Sequence, residues 1–149
     1  MLFDSIQDIN KILFSIPFNN LLGMQVTKFT EHTITTEFAM QPNLIGNPIQ
    51  KILHGGVIAT ILDMTGGLLV MAKVYAKNPT LSKAELLTKI GKVSTIDLHI
   101  NYLQPGRGTI FTSTASLLHG GYKISTTNII MTNQDETKIA VATGTYTSS

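Results

Sequence analysis

KILHGGVIATILDMTGG, residues 51–67, decides the reading of the whole chain. An apolar run opens on His54-Gly55-Gly56 and carries a single acid, Asp63, among Val57, Ile58, Ile61, Leu62, Leu68 and Leu69. A carboxylate buried there without a partner is costly, so its position calls for a chemical reason. Continued to about Ala76, the run is a helix apolar on every side, which belongs in a core. It is short for a membrane span, and it contains Thr60, Asp63, Thr65 and Gly66-Gly67. An acid near a bilayer centre costs about 2.5–3.5 kcal/mol, so a buried helix is expected and no membrane partner.

The first N–H groups of a helix lack intrahelical partners, and the helix dipole places partial positive charge around them. Glycines at 55 and 56 remove side-chain bulk, so a ligand can approach those amides closely. These are the parts of an oxyanion hole, donors fixed in advance for charge developing on a carbonyl oxygen. Asp63 lies roughly 12 Å further along the same helix, at ~1.5 Å per residue, and cannot reach a carbonyl held at that helix's own start. Two such helices meeting antiparallel across a twofold axis would bring Asp63 of one copy to the Gly55-Gly56 amides of the other. The spacing therefore predicts a homodimer with shared sites.

The rest of the chain supplies a frame for that helix. At 149 residues, 1–149 reads as one domain with room for a real core. Cysteine is absent, which removes disulfides, thiolate metal sites and a cysteine nucleophile. The net charge is only +2, the lysines are spread along the sequence, and no phosphate-loop spacing occurs, so no nucleic-acid partner is expected. Asp4 and Asp8 stand where a secretory signal would be basic, and a cytoplasmic, reducing location is expected. Residues 1–19 read as a helical segment, with Phe3, Ile6, Ile9 and Leu13 on one face.

Two strands are expected to turn near Glu31-His32, with Ile34, Thr36, Phe38 and Met40 on one face, followed by a loop through Pro42, Gly46, Asn47 and Pro48. Ser82 to Glu85 has capping-box spacing and opens a short helix that Gly91 closes. STIDLHINYL alternates as a strand with Ile96, Leu98, Ile100 and Tyr102 on a core face. Three more strands follow, punctuated by HGG at 119–121 and NQDE at 133–136. The sum is an α+β fold of about six largely antiparallel strands around one long helix.

HGGVIATILD followed by STIDLHINYLQPG resembles the PaaI-like group of hotdog-fold thioesterases, and above all the bacterial YigI-type acyl-CoA thioesterases. The resemblance runs from Phe18 to Tyr146. It implies a hotdog fold, dimers that often pair into tetramers, and hydrolysis of acyl-coenzyme A without metal or cofactor. Carried over by position, Gly55 supplies the amide that polarises the thioester carbonyl, Gly56 helps the close approach, and Asp63 is the catalytic carboxylate, as general base or as nucleophile. Thr95 stands where relatives carry a Ser or Thr that positions water. Many relatives place Asn or Gln six residues before the His; Pro48 is there instead, which leaves Asn47 or Gln50 for the carboxamide contact.

His54 orients a loop or meets substrate, and Arg107, in PGRG, is placed to meet coenzyme A phosphates. His119 repeats the HGG wording with no helix after it and reads as a turn. Scattered histidines do not make a metal site. Ile52, Leu53, Met64 and Leu68, with Phe18 or Leu21, suit a medium- to long-chain acyl group. The alternatives are an aryl-CoA thioesterase, a dehydratase of 3-hydroxyacyl thioesters using His54 with Asp63 across a dimer, and a binder of acyl-CoA without chemistry.

Overall fold

The computed structural model describes residues 6–30 and 32–148, so Phe3, Asp4 and Glu31 lie outside the described residues. Helices α1 (Ile6–Ser15) and α2 (Pro17–Leu22) lead into strands β1 (Gln25–Phe29) and β2 (Thr33–Ala39). A 3-10 turn (Pro42–Leu44), short strands β3 (Ile45–Asn47) and β4 (Ile52–Leu53), the long helix α3 (Gly55–Ala76) and α4 (Lys83–Ile90) come next. Strands β5 (Thr95–Tyr102), β6 (Ile110–Gly120), β7 (Ile124–Asn133) and β8 (Lys138–Thr147) complete the chain.

Local chemistry accounts for the element ends. Pro17 takes the first position of α2, splitting the expected N-terminal helix in two, and Gly23 closes α2 at φ 63°. Ser82 accepts from the Glu85 N–H while the Glu85 carboxylate accepts from the Ser82 N–H, the reciprocal box its spacing predicts. Gly91 follows α4 as expected. The segment read as a plain loop contains the β3–β4 ladder, too short to leave a period in the sequence. Strand β6 runs through His119 to Gly120, so the turn begins at Gly121 and His119 is a strand residue.

Six strands form one antiparallel sheet in the order β1-β2-β6-β7-β8-β5. α3 lies across one face, with Ile58, Ile61, Leu62, Thr65, Leu68, Leu69 and Ala72 buried. Of these, Ile58, Ile61, Leu62, Leu68 and Leu69 share a core with Ile34, Phe38, Phe111, Ile129 and Met131 from the sheet. α3 is long and apolar enough to cross a bilayer, but it is mostly buried inside its own chain. Burial is uneven around it, however. Val57, Thr60, Asp63, Met64, Gly67 and Met71 recur at helical spacing, and all are only half-buried.

Strand β5 departs from the expectation of a core-facing strand. Among the described residues it pairs only with β8, at the sheet edge; Leu98 and Ile100 are half-buried, while Ile96 and Tyr102 are 52% and 54% exposed. Alternation records that one face is apolar and does not record what covers it.

Gly66, the first of the second glycine pair in the opening stretch, has a packing reason. Tyr146 of β8 is buried against α3, and its hydroxyl donates to the Asp63 carbonyl oxygen at 3.0 Å. A Cβ on Gly66 would strike that hydroxyl and stand 2.8 Å from Thr127 Oγ1; one on Gly144 would come within 2.5 Å of the same hydroxyl. Gly66→Ala should therefore destabilise by about 1–3 kcal/mol, read as a lower urea midpoint. At an exposed helical site the same change would stabilise by up to about 1 kcal/mol, so the sign tests the packing.

Candidate active site

Three loops converge on the start of α3. Leu53 N–H donates to the Gly106 carbonyl at 3.0 Å, and His54 N–H to the Leu44 carbonyl at 2.9 Å. Gly46 lies so close to His54 that a Cβ would stand 2.5 Å from the His54 Cα, which is why β3 needs glycine there. Arg107 ties the loops together, donating to the Gln50 main-chain carbonyl at 3.0 Å and to Gln50 Oε1 at 2.9 Å. Asn47 Oδ1 accepts from the Ile49 and Gln50 N–H groups, an Asx turn that shapes the loop.

His54 is held in this frame at φ −63°, ψ 134°, as the N-cap of α3. Its Nδ1 accepts from the Gly56 N–H at 2.8 Å, so in this tautomer the ring proton sits on Nε2. Gly56 is thereby occupied. The Gly55 N–H makes no hydrogen bond among the described residues, while its carbonyl accepts from the Tyr102 hydroxyl at 3.0 Å. One free amide at a helix N-terminus, in a groove of about 410 Å³ walled by Ile52, Leu53, Ile58, Tyr102 and Pro105, is a ready donor for an oxyanion.

Asp63 occupies the half-buried stripe of α3. Thr95 Oγ1 donates to its Oδ1 at 2.8 Å, bringing together two residues 32 positions apart in sequence. No cation among the described residues pairs with Asp63. Burial first, and then the Asp63 carboxylate, raise the pKa of Tyr146 far above the usual phenol range, so its hydroxyl remains a donor beneath this turn. Chemically the pair is a carboxylate fixed through one oxygen, with the other left to receive a proton. The Gly55 amide and Asp63 stay about 12 Å apart along their own helix, as the spacing dictates.

The described residues hold no cluster of three or more His, Asp or Glu that could bind a metal ion. Among the acyl-chain candidates, Leu53 walls the groove and Ile52 and Met64 are half-buried, but Leu68 is sealed in the core. Tyr102 and Tyr146 escape a sequence reading of the site, because each acts on α3 from a strand far away in the chain. The recurrence of glycine at 66, 67 and 144 was the one available signal.

A family model described as the thioesterase superfamily matches residues 50–140, which spans both His54 and Thr95. The chain belongs to the thioesterase superfamily. The medium/long-chain acyl-CoA thioesterase YigI of Escherichia coli is 40% identical over 134 residues, 90% of this chain and 86% of that one. A Shewanella oneidensis structure described as related to the thioesterase superfamily superposes with TM-score 0.89 at 37% identity, covering 97% of this chain and 95% of that one. A Haemophilus influenzae thioesterase shares the fold at TM-score 0.78 and 20% identity, covering 99% and 94%. The six-stranded sheet and long helix are thus the hotdog fold of this superfamily.

Proposed function

We propose that this thioesterase-superfamily chain hydrolyses medium- to long-chain acyl-coenzyme A to the free acid and coenzyme A. The observation that carries the reading is the Thr95-braced Asp63 carboxylate on a half-buried stripe of α3, with a Gly55 amide that has no partner among the described residues on the same helix about 12 Å away. Antiparallel pairing of two copies across that stripe, with β5 and its exposed Ile96 and Tyr102 at the join, unites Asp63 of one copy with Gly55 of the other. The assembly is a homodimer, or a dimer of dimers, in the cytoplasm, and residues 1–149 act as one domain.

In that shared site the thioester oxygen receives the Gly55 N–H. Gly56 and His54 hold the helix start open, and Asn47 and Arg107, which brace the groove-lining Gln50, serve the coenzyme side of the site. Either Asp63 takes a proton from water as the water attacks the carbonyl carbon, or Asp63 attacks that carbon itself to form an acyl anhydride. The thiolate of coenzyme A leaves, and in the second case water then cleaves the anhydride to free acid and Asp63.

Thiol release from short-, medium-, long-chain and aryl-CoA thioesters tests the reading. Fastest turnover on medium or long chains is expected; stoichiometric binding without thiol release, or hydration of a crotonyl thioester, would overturn it. Thr95→Val should lower kcat by about 10- to 100-fold, the scale of one hydrogen bond to a charged group, and Thr95→Ser should restore most of it. Steady-state kinetics on the preferred chain length checks both.

A further inference from the structure

Four of the lysines that look scattered in sequence gather in the fold. Lys73 at the end of α3, Lys77 just beyond it and Lys89 at the end of α4 line one cleft of about 260 Å³, together with Gly121 of the β6–β7 turn and Ser148 just after β8. Lys92 lines an adjoining cleft with Lys89, and Tyr122, 78% exposed, stands between the two. Lys73 Nζ is held by the Gly121 carbonyl at 2.7 Å and Ser125 Oγ at 2.6 Å, and Lys89 Nζ by Asn78 Oδ1 at 3.0 Å. None of these lysines pairs with a carboxylate among the described residues. Glu85, which lines the adjoining cleft, has its Oε2 engaged by Ser82.

A lysine at a helix C-terminus is favoured by the dipole, and that suffices for each of Lys73 and Lys89 singly. It does not explain why three ammonium groups surround one cleft with no acid to offset them. Burial, and then the neighbouring Lys77, bring the Lys73 pKa down to about 8; the second of these is a like-charge repulsion between Lys73 and Lys77. An anion with several acceptor oxygens relieves it, and lysine serves as a point-charge binder of phosphate.

We propose that the cleft formed by Lys73, Lys77 and Lys89 is a phosphate-binding site for a phosphorylated ligand, with the Tyr122 ring at its rim offering a face for an attached base. Lys73 and Lys77 stand about 15 and 21 Å from Asp63 along α3, so the site is separate from the reacting groups. Two sources share this chemistry: the nucleotide end of the acyl-CoA substrate, which rests on the thioesterase reading, and a free phosphorylated molecule, which does not.

Calorimetric titration of the native protein with inorganic pyrophosphate at low salt tests the site itself. Binding with Kd below about 1 mM, weakened about tenfold or more in Lys77→Met, is the expected result. No binding in that range, or equal binding by the variant, would overturn the proposal whether or not the protein is a thioesterase. KM for an acyl-CoA, compared with KM for the same acyl group on N-acetylcysteamine, then identifies the source. A rise in Lys77→Met confined to the coenzyme A ester assigns the substrate's nucleotide end. Unchanged KM for both, with pyrophosphate binding lost, assigns a free phosphorylated ligand.

Discussion

Asp63→Asn should lower kcat on the preferred acyl-CoA by about two to four orders of magnitude while leaving the fold and the dimer intact. The amide has the volume of the carboxylate and still offers an oxygen to Thr95 Oγ1, now at 2.8 Å from Asp63 Oδ1. The Tyr146 hydroxyl bonds to the main-chain carbonyl of residue 63, so that contact survives the exchange. Only the capacity to accept a proton, or to attack as an anion, is removed. Matched melting curves with collapsed turnover would show that the acid is chemical. Equal turnover in both proteins would assign it a structural role instead.

Gly55→Pro should cost about 10²–10³ in kcat, the effect of deleting one oxyanion donor. Proline is chosen because it removes the Gly55 N–H while preserving the helix start, although its ring also adds bulk beside the groove. Position 55 is the first residue of α3, where proline is well tolerated, and His54 already holds the extended conformation (φ −63°, ψ 134°) that a following proline demands. A Cβ at 55 would touch the Tyr102 ring at 3.6 Å, an ordinary contact, and the His54 cap on the Gly56 N–H is undisturbed. Because the amide strengthens its bond as charge develops, kcat should fall further than KM rises. A variant as active as the native protein would remove this amide from the mechanism.

Much of the fold was legible because local chemistry wrote it. The apolar run and its two leading glycines mark α3 from 55 to 76, and Ser82 with Glu85 marks the start of α4 by hydrogen bonds three residues apart. What was not legible joins distant residues. Tyr146 fits beneath Asp63 only because Gly66 and Gly144, 78 residues apart in sequence, both lack a side chain there. The basic cleft collects Lys73, Lys77 and Lys89 from two helices that a turn folds together, and a linear count of lysines sees only dispersion. Strand β5 alternates well enough to imply one covered face, yet Ile96 and Tyr102 stand open in a single chain. Around the site, the roles of Asn47 and Arg107 in bracing the Gln50 loop depend on loop geometry that periodicity does not carry.

The most direct test of the account is to mix the two inactive proteins, Asp63→Asn and Gly55→Pro, let their subunits exchange, and measure thiol release. If each site takes Asp63 from one copy and Gly55 from the other, every mixed dimer regains one intact site, and random pairing should return about a quarter of native activity. If activity stays at the level of the separate variants although mixed dimers have formed, the carboxylate and the amide do not meet across the interface, and the shared-site account is wrong.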